Sequence, residues 1–153
     1  MQAERSLRSQ LAAQQLIAKS ENAFLDITLS DARGQMQSLS QYRGKVIVLD
    51  FSSTEMEQYV AYNFELRELY NQYHKSGLEI YSVGIERNLL AWEEATENLP
   101  WLTVRALDNE ITEVLTRYNV QSLPTLFLFD KEGNVQGRYT DFTALEADIN
   151  KYL

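Results

Sequence analysis

The 153-residue chain offers few side chains that could do chemistry: it has one histidine, His74, and no cysteine. Without a sulfur that can lose its proton there is no thiolate nucleophile, peroxidatic sulfur, disulfide, iron–sulfur cluster or Cys-type zinc site. One imidazole cannot build a histidine-rich metal centre. Ser52 and Ser53 have no His or Lys near them in the sequence, so a serine nucleophile is not supported. The acidic pairs Asp108 with Glu110 and Glu93 with Glu94 lack the spacing of a calcium loop and read as a solvated face. The 6 glycines are dispersed at turns and form no phosphate cradle. Tyr59, Tyr62, Tyr70 and Tyr73 recur at helical spacing, which favours core packing over a partner-binding stripe. Trp92 and Trp101 bracket a helical segment and read as packed rim residues, although Trp101, following Pro100, could lie exposed.

Charge narrows the partners. Lys plus Arg number 14 against 22 Asp plus Glu, and the net charge of -8 argues against nucleic acid, whose binding rests on basic side chains displacing counterions. No apolar run reaches the roughly 18 residues that a membrane-spanning helix needs. No cofactor and no metal is expected. Residues 1–22 read as a connecting helix: Leu7, Leu11, Leu16 and Ile17 form a narrow apolar stripe among Arg5, Arg8 and Lys19. That stripe could pack on the domain or on a second copy.

The elements that must position these residues follow from periodicity. Phe24 to Leu29 alternates as a half-buried strand, Asp31 to Gly34 is turn chemistry, and Gln35 to Leu39 can return as its hairpin partner. Val46 to Phe51 is a continuous apolar run of the kind found in central strands covered on both faces. A long helix is expected over about Glu57 to Lys75, stopped by Gly77, and Leu78 to Ile85 is a second buried strand, parallel to the first through this crossover. Asn88 can cap a helix running to about Asn98, ahead of Pro100. A short strand over Thr103 to Ala106, a helix over Glu110 to Tyr118, a hairpin of Thr125 to Phe129 with Asn134 to Tyr139, and a last helix over Thr143 to Leu153 complete the order. This order is that of a thioredoxin fold: α/β, a mixed central sheet with helices on both faces, here with an N-terminal β-hairpin extension and a leading helix.

Two blocks carry a more specific resemblance. Phe24-Leu25-Asp26-Ile27 with Gly34 and Leu39, followed by Tyr42-Arg43-Gly44-Lys45-Val46-Ile47-Val48-Leu49-Asp50-Phe51, resembles the opening of TlpA and ResA-type thioredoxin-like proteins, related to the AhpC/TSA group. Tyr118-Asn119-Val120 through Leu123-Pro124-Thr125 to Asp130-Lys131-Glu132-Gly133 resembles the closing block of the same thiol-disulfide oxidoreductase family. The resemblance spans residues 23–153 and marks them as one thioredoxin-like domain.

The resemblance places the redox cysteines six and nine residues beyond Asp50, where this chain has Met56 and Tyr59, so Met56-Glu57-Gln58-Tyr59 stands in place of Cys-x-x-Cys. Thiol-disulfide exchange needs an attacking thiolate and a resolving thiol, and a thioether and a phenol supply neither. Asp50 matches the family's buried acid, Tyr62 stands where the family carries an acid, and Leu123-Pro124-Thr125 matches the cis-proline segment beside the redox pair. The expectation is a non-catalytic module that binds a polypeptide or an adjacent domain of its own protein through Thr54, Glu55, Met56, Glu57, Tyr59, Leu123 and Pro124. The alternative is a family member with residual or unconventional redox activity. The resemblance also implies the periplasm or cell envelope, as part of a Bacteroidetes-type lipoprotein with residues 1–22 linking two domains, and a homodimer through that segment is a further expectation.

Overall fold

A computed structural model describes residues 25–153 of the chain. The expected leading helix and the dimer through it lie outside the described residues. Seven strands, β1 (Thr28–Ser30), β2 (Met36–Ser38), β3 (Val46–Ser52), β4 (Leu78–Ile85), β5 (Leu102–Ala106), β6 (Thr125–Phe129) and β7 (Val135–Tyr139), form one sheet in the order β2-β1-β5-β4-β3-β6-β7. The β3–β4 and β4–β5 pairs are parallel and the other four antiparallel, so the sheet is mixed as expected. The continuous apolar run becomes β3, between β4 and β6, with all seven of its residues buried. Its alternate side chains feed two cores. Ile47, Leu49 and Phe51 face Val114 of α3 (Asp108–Arg117) and Tyr118 just beyond its end, together with Ile27, Leu29 and Leu39 from the hairpin. Val46 and Val48 face Tyr62, Leu66, Leu69 and Tyr73 of α1 (Tyr59–Tyr73) and Leu145 and Ile149 of α4 (Phe142–Tyr152).

Where element ends depart from the periodic expectation, side chains compete with the ladder. The first strand is shorter than Phe24 to Leu29 because the Asp26 carboxylate takes the amides of Ile27 and Ser40 and the Ser40 hydroxyl, and Tyr118 donates to the Leu25 carbonyl. Both hairpins turn on the same device. Asp31 Oδ1 accepts from the amides of Arg33 and Gln35, and Asp130 Oδ1 from those of Glu132 and Asn134, each ahead of a left-handed glycine, Gly34 and Gly133. Helix α2 (Leu89–Thr96) starts on the expected cap, Asn88, whose side chain accepts from the Ala91 amide at 3.1 Å. It ends earlier than Asn98.

Helix α2 is held against the sheet at one glycine. A Cβ built on Gly84 of β4 would lie 2.7 Å from Trp92 Nε1 and 2.8 Å from Trp92 Cδ1, so the buried indole needs the hydrogen at that position. Gly84→Ala is expected to destabilise the chain by about 1–3 kcal/mol through overpacking. Urea unfolding checks this; a change within about 0.5 kcal/mol would show that α2 shifts without cost.

Candidate functional site

Helix α1 begins at Tyr59, two residues later than the sequence predicts. Ser53 to Gln58 form turns instead: the Met56 amide donates to the Ser53 carbonyl, the Tyr59 amide to the Met56 carbonyl, and Ser53 Oγ accepts from the Glu55 amide at 3.1 Å. The cause is the Ser53 side chain, which offers the first donors a local partner. Met56 therefore sits in a turn ahead of the helix rather than at its N-terminus, and only Tyr59 of the Met56-Glu57-Gln58-Tyr59 segment lies in α1. Glu57 and Gln58 are exposed, while Met56 and Tyr59 are half-buried.

Under this turn lies Asp50, 1 % exposed, in the middle of the sheet. Its carboxylate accepts from Tyr62 Oη, from Ser82 Oγ at 2.7 Å and from Ser52 Oγ at 3.1 Å, and Trp101 Nε1 donates in turn to Ser82 Oγ at 2.9 Å. Burial pushes the Asp50 carboxyl up to about 6 against the pull of these three donors. Tyr62, at the position the resemblance assigns to an acid, thus supplies the hydroxyl that satisfies Asp50. Trp101 is buried with 5 % exposure, so the exposed alternative for it does not hold. Of the tyrosine stripe, Tyr62 and Tyr73 are buried in the core and Tyr70 packs against it, while Tyr59 is half-buried beside the turn. Burial, with the charges of Asp50 and Glu86, pushes the Tyr59 phenol up to about 12. It is neutral near pH 7 and can neither attack as a phenolate nor accept a proton there.

Glu86, just beyond β4 and 3 % exposed, was not among the sequence candidates. Its Oε1 accepts from the Thr54 amide at 2.7 Å, and its Oε2 from Thr54 Oγ1 at 2.8 Å and Ser53 Oγ at 3.3 Å. A carboxylate directly after a buried strand, level with a Ser-Ser-Thr run ending the neighbouring parallel strand, was the available signal. Asp50 and Glu86 together line a small, partly open cavity of about 10 Å³, room for about one water, which Tyr59 and Asn63 also border.

Two open depressions flank the turn. One, of about 450 Å³, brings Met56 and Leu123 together with Ile85 and Ile111, rimmed by Glu55 and Arg87. The other, of about 530 Å³, lies between α1 and α2 and is bordered by Thr54, Glu55, Tyr59 and Val60. The expected surface is thus divided at Glu55, with Met56 and Leu123 on one side and Thr54 and Tyr59 on the other. Pro124 follows Leu123 across a cis peptide bond, and Thr125 is buried with its Oγ1 donating to the Ser122 carbonyl at 2.6 Å. Among the described residues no group of three or more His, Cys, Asp or Glu side chains could hold a metal ion.

The Thioredoxin-like family model matches residues 44–135. The chain is 37% identical over 131 residues to the thiol-disulfide oxidoreductase ResA of Geobacillus kaustophilus, covering 84% of this chain and 72% of that protein. The chain belongs to the thioredoxin-like family. Among solved structures, a thioredoxin-like protein from Bacteroides vulgatus superposes with a TM-score of 0.76 at 34% identity, covering 84% of each chain. The thioredoxin domain of a thiol-disulfide oxidoreductase from the same organism also gives 0.76, at 25% identity over 84% of this chain and 93% of that one. The mixed sheet, the helices on both faces and the turn leading from β3 into α1 are thus features of a thioredoxin-like fold, and this thioredoxin-like chain carries no cysteine on it. Met56 in the turn and Tyr59 at the start of α1 are a thioether and a neutral phenol. Electron transfer by thiolate attack has no starting group here.

Proposed function

We propose that this chain is a non-catalytic thioredoxin-like module that binds polypeptide, in an extended segment of a partner protein or an adjacent domain of its own. The observation that carries the reading is the pairing of Met56 and Leu123 in one depression whose other walls include Ile85 and Ile111 and whose rim carries Glu55 and Arg87. An apolar floor with a charged rim suits an apolar side chain flanked by backbone, and thioether and aliphatic groups adapt to varied shapes. The resemblance to thiol-disulfide oxidoreductases supports the same place on the fold, since relatives of that type must hold a polypeptide there to exchange with its disulfide. The relatives' redox role further supports the periplasm or cell envelope as the setting, where their chemistry belongs.

Two measurements test this. With dithiothreitol as reductant, the purified chain is expected to add nothing to the background rate of insulin reduction; turnover above background would overturn the non-catalytic reading. Selection from a display library of unstructured peptides is expected to enrich sequences with a central apolar residue, whose binding is lost on Leu123→Glu while the unfolding midpoint is kept. Failure to enrich any sequence, or enrichment indifferent to Leu123→Glu, would overturn the binding reading.

A further inference from the structure

Every hydrogen bond given to the Glu86 carboxylate comes from the loop that carries Glu55 and Met56 into the depression. The Thr54 amide is the one obligatory donor. The other two partners, Thr54 Oγ1 and Ser53 Oγ, are hydroxyls, which accept as readily as they donate. A protonated Glu86 would keep the amide on its carbonyl oxygen and give its own hydrogen to one of these hydroxyls, so its contacts to the loop are kept. No basic side chain among the described residues pairs with it. The charged and titratable groups that face it are Asp50 across the shared cavity, Tyr59 from α1, Glu55 from the loop, Arg87 beside it in the depression, and Asp108 at the start of α3. Four of these five are acidic or phenolic.

We propose that Glu86 is the positioning residue of the depression and that it holds the Ser53–Met56 loop more firmly when it carries a proton than when it is ionised. The inference rests on the polypeptide-binding reading only for its consequence: the depression is better formed at low pH and loosens as pH rises. Burial raises the Glu86 carboxyl above its ordinary range, Glu55 adds to this, and the three donors oppose it without cancelling it. The sign follows. A carboxyl raised in the closed loop binds its proton more tightly there than in an opened loop where it meets water, so acid favours closure and alkali opening.

Amide hydrogen exchange on the intact chain tests the idea without any ligand. The protection factor of the Thr54 amide, corrected for intrinsic exchange, is expected to be higher at acidic than at alkaline pH in the parent. In Glu86→Gln, whose amide copies the protonated acid, it is expected to be high and flat. In Glu86→Ala it is expected to be low throughout. The Val48 amide in β3 gauges global unfolding, and the Thr54 amide is expected to stay less protected than it in the parent, so that the Thr54 profile reports local opening of the loop. A flat Thr54 profile in the parent, or protection in Glu86→Gln as low as in Glu86→Ala, would overturn the proposal. Loss of peptide binding with the Thr54 profile intact would instead count against the binding reading alone.

Discussion

A chain carrying Met56→Cys and Tyr59→Cys is expected to close an intramolecular disulfide on mild oxidation and to reduce insulin above background, where the parent does neither. The reasoning is geometric. The strand that ends at Ser52, the turn and α1 are all in place, and what the segment lacks is a pair of thiols. A thiol at position 59 would stand in the first turn of α1, where the unpaired amides favour a thiolate. Two features should keep turnover slow. Asp50, a carboxylate beneath the turn, is already engaged by Tyr62, and position 56 lies in the turn ahead of the helix rather than within its first turn. Replacing the half-buried Tyr59 also removes a side chain that borders the interior cavity, with a stability loss of roughly 2–4 kcal/mol. Mass spectrometry after alkylation reads the disulfide and a turbidity assay reads the turnover. A double variant that stays fully alkylatable after oxidation would mean that positions 56 and 59 do not face each other, and the assignment of the degenerate pair would fall with it.

Asp50→Asn is expected to stabilise the chain relative to the parent by about 3 kcal/mol more at about pH 8 than at about pH 3. The carboxyl lies at about 6 in the folded chain against an ordinary 3.8. At about 1.4 kcal/mol per unit that gap amounts to about 3 kcal/mol. The sign is set by the direction: a carboxyl raised on folding binds its proton more tightly in the native state. Its contribution is therefore fully present below the unfolded value and is lost as pH rises through about 6. An asparagine keeps an acceptor for Tyr62 and can donate to the Ser52 or Ser82 hydroxyl, so the exchange removes the charge without orphaning its partners. Urea unfolding of both proteins across this range checks it. Equal stability differences at the two ends would show that Asp50 is solvated in the folded chain.

Much of the fold was legible because periodicity and punctuation agreed. The apolar run at β3, the Asn88 cap, and the strand at Thr125–Phe129 needed only local rules. The start of α1 was misread because Ser53, a residue whose side chain bonds to nearby amides, delays the helix until Tyr59, and no apolar period marks such a competition. At the site, Asp50, Met56, Tyr59 and Leu123 were found through their positions relative to a family pattern, and the depression shared by Met56 and Leu123 joins segments 67 residues apart in sequence. Glu86 was missed for the converse reason. Its partners Ser53 and Thr54 lie 33 and 32 residues away, brought to it by the register that sets Ser52 of β3 beside Gly84 of β4. Pairing between parallel strands is settled by the helix between them, and nothing in either strand alone announces which side chains will meet.

The chain of hydrogen bonds from Trp101 through Ser82 to Asp50 has a use outside binding. It sets the indole two links from the most buried carboxyl among the described residues, so ionisation of Asp50 is expected to change the emission of Trp101, and an observer needs no label to follow it.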